Sequence, residues 1–297
     1  MASDDHAPPL PAARGLAASP RIDAHQHFWH PARGDYGWLT PDLPICRPYG
    51  PADLLPHLRE CGIGGTVLVQ AAPTLGETEY LLAIADATPF VLGVVGWIEF
   101  EDPAQRRQLE RLARHPKLVG IRPMIQDLPD DGWMLRTGIG WAFAAIRELG
   151  LVFDALVRPR HLDNLLRLLA RHPDLIAVVD HGAKPAIRAG GFSGWAAMMR
   201  RIAAETAAFC KLSGLTTEAA PDWTIKDLRP YVDHLIATFG PGRLMFGSDW
   251  PVATLATGYA RWVETVETLI SGLAADEQAA VFGGNASRVY GLAPPPG

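Results

Sequence analysis

Two histidines, His25 and His27, stand two positions apart inside residues 21–30, RIDAHQHFWH. If Ile22 and Ala24 belong to a strand, side-chain alternation turns both imidazoles to one face. Two imidazoles side by side can share a metal ion or flank one substrate. Near the other end of the chain, Leu244-Met245-Phe246 runs into Gly247-Ser248-Asp249-Trp250-Pro251, so an apolar stretch again ends in a group that can move a proton. A third apolar stretch, residues 175–180 (LIAVVD), stops just before His181. A carboxylate that takes a proton and imidazoles that polarise a carbonyl are the parts of a hydrolytic site.

These groups must be positioned by the elements between them. Short stretches rich in Val, Ile and Leu, at 66–70, 90–97, 118–122, 151–154, 175–180, 208–212 and 243–246, read as strands. Helical patterns alternate with them at 51–61, 77–87, 103–114, 133–149, 160–171, 194–207, 225–239, 259–271 and 274–290. Apolar strands alternating with amphipathic helices predict a parallel sheet covered on both faces. About eight such units in a chain of this length predict a single-domain (β/α)8 barrel. A doubly wound open sheet would favour a glycine-rich turn after its first strand, and that turn holds His-Gln-His. In a barrel, chemistry sits where strands end, and these strands end at His25 and His27, Gln70, Trp97, Arg122, Asp154, His181, Ser213 and Asp249. The long connection 28–50, dense in Pro, Gly and aromatic residues, reads as a lid or binding loop.

Composition narrows the functional classes. Of 297 residues, 48% are hydrophobic and 20% charged, as in an ordinary globular enzyme. The net charge of −5 provides no basic field for a nucleic-acid backbone. No apolar run reaches membrane-spanning length. Three scattered cysteines suit neither a disulfide framework nor a zinc ribbon, so the cytoplasm is the expected compartment. Residues 1–20, with Asp4 and Asp5 where a signal peptide would be basic, read as a disordered lead-in. The barrel is expected over 21–291, with a tail at 292–297.

The ordered set of motifs also resembles a known family. It comprises His25-x-His27 after the first strand, Val179-Asp180-His181-Gly182-Ala183-Lys184-Pro185 after the sixth, and Gly247-Ser248-Asp249-Trp250-Pro251 after the eighth. Gly120-Ile121-Arg122-Pro123, Lys211-Leu212-Ser213-Gly214-Leu215 and Gly284-Asn285-Ala286 add to it. Residues 21–291 resemble the amidohydrolase superfamily, most closely the amidohydrolase-2 branch. That branch contains sugar-lactone hydrolases of the L-fucono- and L-rhamnonolactonase kind and 2-pyrone-4,6-dicarboxylate lactonase. The resemblance implies His25, His27, His181 and Asp249 as catalytic groups. Members with two metals carry a bridging Lys or Glu on the fourth strand and a His after the fifth, where this chain has Arg122 and Asp154. The implied cofactor is therefore either none or one divalent metal, zinc first, on His25, His27 and Asp249.

The reaction that suits this set is hydrolysis of a lactone, with a sugar-derived 1,4- or 1,5-lactone as substrate. Asp249 is expected as general base, its pKa raised by desolvation or by an acid such as Asp154. The three histidines would polarise the carbonyl directly or through the metal. Arg122, Gln70, Trp29, Trp97, Asp154, Lys184 and Trp250 are the expected substrate contacts, Arg122 through its planar fork and the tryptophans through their faces. A metal-dependent decarboxylase of an aromatic or unsaturated acid is the alternative, and a non-catalytic ligand-binding barrel a remote one. The expected partner is a small-molecule lactone, with neither nucleic acid nor membrane, and a homo-oligomer is compatible with the sequence.

Overall fold

The computed structural model describes residues 20–295. The tail's Pro296 and Gly297 and, apart from Pro20, the lead-in expected over residues 1–20 lie outside them. The strands are β1 (Ile22–Gln26), β2 (Gly65–Val69), β3 (Val91–Gly96), β4 (Leu118–Ile121), β5 (Val152–Ala155), β6 (Ala177–Val179), β7 (Phe209–Leu212) and β8 (Leu244–Phe246). They pair in sequence order, every pair parallel. The ring closes where the last strand returns to the first. Asp249 donates its backbone N–H to His25 O at 2.7 Å, and His27 donates to Trp250 O at 2.7 Å. The closing bonds are thus made by the residues that could do the chemistry.

The helices that cover the ring are α1 (Pro51–Glu60), α2 (Leu75–Ala87), α3 (Arg106–Leu112), α4 (Gly140–Glu148), α5 (Leu162–Arg171), α6 (Ser193–Glu205), α7 (Ile225–Phe239), α8 (Tyr259–Leu269), α9 (Ala275–Ala279) and α10 (Asn285–Tyr290). Two differ from the sequence pattern. The helix expected over 133–149 begins only at Gly140, because Arg136 is extended (φ −62°, ψ 135°) and Trp133 is held apart by its Nε1–H bond to Glu101 Oε1 at 2.7 Å. The helix expected over 274–290 is broken at Gly283 (φ 165°), where the backbone passes so close to Pro20 O that a Cβ would lie 2.2 Å from it.

The barrel interior is layered. Its floor is apolar, with Val67, Val95, Val119, Val152, Val178 and Met245 packed beneath Tyr290 of α10. Two residues further along their strands, the same alternation turns Asp154, Asp180 and Lys211 inward above Val152, Val178 and Phe209. All three charged side chains are fully buried. The larger part of the core lies between sheet and helices, where Phe143, Phe153, Trp262 and the leucines of α5 pack.

Candidate functional site

Above the charged layer the strand ends bring four groups together. His181 (φ 54°) and Asp249 (φ 57°) both adopt left-handed backbone conformations, which non-glycine residues occupy at a cost and which cluster at functional sites. Asp249 Oδ1 lies 3.3 Å from His27 Nε2, 3.8 Å from His25 Nε2 and 3.9 Å from His181 Nε2. His25 Nε2 and His27 Nε2 are 3.2 Å apart. All four side chains are buried or nearly so.

The far side of each imidazole is held by the fold. His27 Nδ1 lies 2.7 Å from Val69 O, and a carbonyl only accepts, so Nδ1 carries the hydrogen. The neutral ring then turns a lone pair toward Asp249. Two acceptors at 3.3 Å repel unless a proton or a cation sits among them, so the cluster is built to hold positive charge. His181 Nδ1 pairs with Ser213 Oγ at 2.8 Å. Gly214 (φ +60°) lets this ring sit down, since a Cβ there would be 2.6 Å from His181 Nδ1. His25 Nδ1 rests on the charged layer, 3.2 Å from Lys211 Nζ and 3.4 Å from Asp180 Oδ1.

Donor atoms of His25, His181 and Asp249 all lie within 4.8 Å of one another. Two imidazoles and a carboxylate are a fitting set for a divalent ion with three protein ligands. The sequence had His27 in that set with His25 and Asp249. The atoms of that set also converge, at 3.2, 3.3 and 3.8 Å from one another, and the structure adds His181 as a further donor on the same space.

Burial alone would raise the Asp249 carboxyl, but the imidazoles of His181, His27 and His25 outweigh it and hold the group well below the usual carboxylate range. The expected upward shift is therefore reversed: Asp249 is ionised at neutral pH. Burial pushes His181 down to about 4, and burial with the Lys211 charge pushes His25 well below its ordinary value.

The layer beneath is a closed set of charges. Lys211 Nζ lies 2.6 Å from Asp154 Oδ2 and 3.0 Å from Asp180 Oδ1. Arg122 Nη1 lies 3.2 Å from Asp180 Oδ2 and 3.2 Å from His25 Nε2. Tyr290 OH donates to Asp154 at 2.9 Å. Asp180 would be raised by burial but is held well below its usual range by Lys211, His25 and Arg122.

The cluster opens into a cavity of about 300 Å³ lined by His27, Arg122, His181 and Asp249, and by Trp38 and Leu43 from the 28–50 connection. Of the expected substrate contacts, Arg122 and Lys184 line this cavity. Lys184 Nζ donates to Gln126 Oε1 at 2.9 Å, and both side chains face the space. Gln70 does not reach it as a contact: its amide donates to Arg122 O at 2.7 Å, and Arg122 Nη2 donates back to Gln70 O.

Asp154 lies below the cluster, paired with Lys211 and Tyr290, so it neither touches the cavity nor presses on Asp249. Trp29 and Trp250 are buried in aromatic packing. Trp29 meets Trp38 and Tyr49, and Trp250 meets Tyr49 and Phe28. Trp97 lines a separate cavity of about 610 Å³ with Phe100 and Trp133, which adjoins the first across Trp38, Met124 and Asp127.

Lys211 and Asp180 escaped the sequence reading as functional groups. Their signal was a charged residue in register with inward-facing apolar ones, in Phe209-Cys210-Lys211 and Val178-Val179-Asp180. His161 is fully buried, with Nδ1 accepting from Arg158 N at 3.1 Å.

Comparison with known proteins follows the geometry. Residues 22–292 match the model of a family described as amidohydrolase. The chain is 44% identical to an L-fucono-1,5-lactonase of Burkholderia ambifaria, over 93% of this chain and 97% of that protein. It is 36% identical to an L-fucono-1,5-lactonase of Burkholderia multivorans, again over 93% and 97%. A crystal structure of an amidohydrolase from Burkholderia multivorans with bound zinc superposes with a TM-score of 0.87 at 36% identity, covering 93% of this chain and all of that one.

Proposed function

This chain belongs to the amidohydrolase family, and we propose from that premise that it is a sugar-lactone hydrolase acting on a 1,5-lactone of the L-fucono type. The observation that carries the reading is the convergence of one ionised carboxylate and three imidazoles at the floor of a cavity the size of a single sugar ring. Two relatives that share 44% and 36% of their residues with this chain bear the name of that activity.

In the proposed reaction Asp249 accepts a proton from water as the water oxygen bonds to the lactone carbonyl carbon. His181 faces the developing oxyanion, and with Ser213 donating to its Nδ1 the ring's Nε2–H would donate to it, while the Nε2 lone pair of His27 borders the same space. The carbonyl re-forms as the ring C–O bond breaks, and Asp249 returns its proton to the departing alkoxide. The products are the open hydroxy acid and the unchanged enzyme. Lys184 with Gln126 lies opposite the β8 loop and supplies hydrogen bonds for ring hydroxyls, and Arg122 adds a cation beside His25.

His25, His181 and Asp249 would hold one divalent ion, zinc being the ion bound in the related crystal structure, and it would supply Lewis-acid polarisation of the carbonyl. Residues 21–291 are taken as one catalytic unit. No helix among the described residues is long and apolar enough to cross a membrane. A cytoplasmic enzyme with a small-molecule substrate, no nucleic-acid partner and a homo-oligomeric state are parts of the same proposal.

Acid release from a panel of sugar and dicarboxylate lactones, followed with a pH indicator, tests it. Turnover of L-fucono-1,5-lactone is the expected result, and absence of turnover on every sugar lactone would refute the reading.

A further inference from the structure

Every pair of strands from β1–β2 to β7–β8 is joined by a parallel ladder. Where the ring closes, β8 and β1 share a single bridge among the described residues, Gln26–Trp250. A buried carboxylate spans this seam. Asp23, in β1, accepts on one oxygen, Oδ1, both the Ser248 backbone N–H at 2.8 Å and the His25 backbone N–H at 3.1 Å, while its Oδ2 accepts from Tyr259 OH of α8 at 3.0 Å. The side chain is fully buried, and all three partners are neutral donors. A carboxylate in that position carries a desolvation cost that an apolar residue would avoid, so packing alone does not account for it.

The two amides it joins belong to the backbone of the catalytic cluster. Between Asp23 and Gln26 three steps along β1 match two along β2, a bulge of the kind that re-aims side chains. Ala24 lies in the apolar interior layer with Val67 and Met245, yet His25, the next residue, also reaches inward, to Lys211 Nζ at 3.2 Å. Asp23 takes up the His25 N–H within that bulge. Its other bond fixes Ser248, the residue before Asp249. Ser248 Oγ in turn accepts the N–H of Trp250, the residue after, at 3.0 Å, and donates to His25 O at 3.3 Å. Asp249 (φ 57°) is therefore anchored to β1 on both sides. A conformation of this kind persists only where its surroundings over-determine it.

We propose that Asp23 is a positioning residue for ring opening, the shared anchor that sets the His25 imidazole and the Asp249 carboxylate against each other. The proposal rests on the lactonase reading for the reaction that measures it. Its test is kcat and KM of the full-length parent, Asp23→Asn, Asp23→Leu and Tyr259→Phe on L-fucono-1,5-lactone, well below the melting temperature of each. Asparagine keeps an oxygen for both amides, and its kcat should stay within about fivefold of the parent. Leucine keeps the branched shape but accepts nothing, and its kcat should fall about 30- to 100-fold, the order expected for a misplacement of about 1 Å. KM, which reflects contacts such as Lys184 and Gln126 across the cavity, should stay within about threefold. Tyr259→Phe frees only Oδ2 and should lower kcat about three- to tenfold.

A folded Asp23→Leu with kcat within about threefold of the parent overturns the inference and leaves the lactonase reading intact. So does a loss in Asp23→Asn as large as in Asp23→Leu, or a loss carried by KM alone. If Asp23→Leu does not fold, Tyr259→Phe decides, and a parental kcat there overturns the inference. Absence of turnover by the parent on every sugar lactone removes both readings.

Discussion

Replacing Lys211 with methionine removes one of the two cations that balance Asp154 and Asp180 in the barrel interior. Methionine keeps the stem length but leaves Asp154 without its 2.6 Å partner and Asp180 without its 3.0 Å one. All three side chains are inaccessible to water, so solvent cannot replace the lost charge. Breaking a buried pair by removing one partner costs about 3–5 kcal/mol. In a domain of this size that corresponds to a fall in Tm of roughly 6–15 °C, taking about 2–3 °C per kcal/mol.

The double variant Lys211→Met/Asp154→Asn restores charge balance with Arg122 and Asp180, and should recover more than half of the loss. The deficit of the single variant should also shrink as pH falls, because protonation then neutralises the unpaired acid. Differential scanning calorimetry of the parent, both single variants and the double variant measures this directly. A Lys211→Met protein melting within about 2 °C of the parent would refute the idea that this layer is an obligatory charge set.

Three further outcomes follow from the same geometry. Burial pushes Glu77 up to about 7, so its contribution is present below the unfolded pKa near 4.5 and lost as pH rises through 7. In urea unfolding Glu77 alone should account for a loss of about 3 kcal/mol between pH 4.5 and 8, which Glu77→Gln removes, leaving the slopes from Asp23 and Asp154, both raised by burial to about 6; identical slopes would contradict it. Gly214→Ala pushes a methyl group against the His181 ring and should lower kcat about 100-fold with near-parental secondary structure, as circular dichroism and turnover would show. Zinc at 100 times its Kd should stabilise the parent by about 2.7 kcal/mol, and His181→Ala should abolish the rise in Tm.

Much of this molecule was legible in residue order. Strands such as 66–70 and 208–212 were visible because β-branched and apolar residues run together between glycines and helical patterns. His25, His27, His181 and Asp249 were visible because each ends such a run. What stayed hidden depended on direction and neighbours. Asp154 ends a strand just as His181 follows one, yet the pleat turns it down toward Lys211 and Tyr290 rather than up to the cavity. The tryptophans at 29 and 250 looked like sugar platforms, but their faces are spent on each other's neighbours, Tyr49 above all. The Asp249 pKa was misjudged in sign because desolvation was weighed without the three imidazoles that only the closed ring brings within 4 Å. Helix ends erred where a single backbone departure, at Arg136 or Gly283, interrupts an otherwise continuous pattern.

The central claim is that Asp249 carries the proton for ring opening. Its most direct test is kcat of Asp249→Asn on L-fucono-1,5-lactone, in protein whose melting temperature shows that it is folded. Asparagine keeps the shape and cannot accept the proton, so a loss of about 10²–10⁴-fold is expected. A variant that turns over within tenfold of the parent would show that the proton is taken elsewhere.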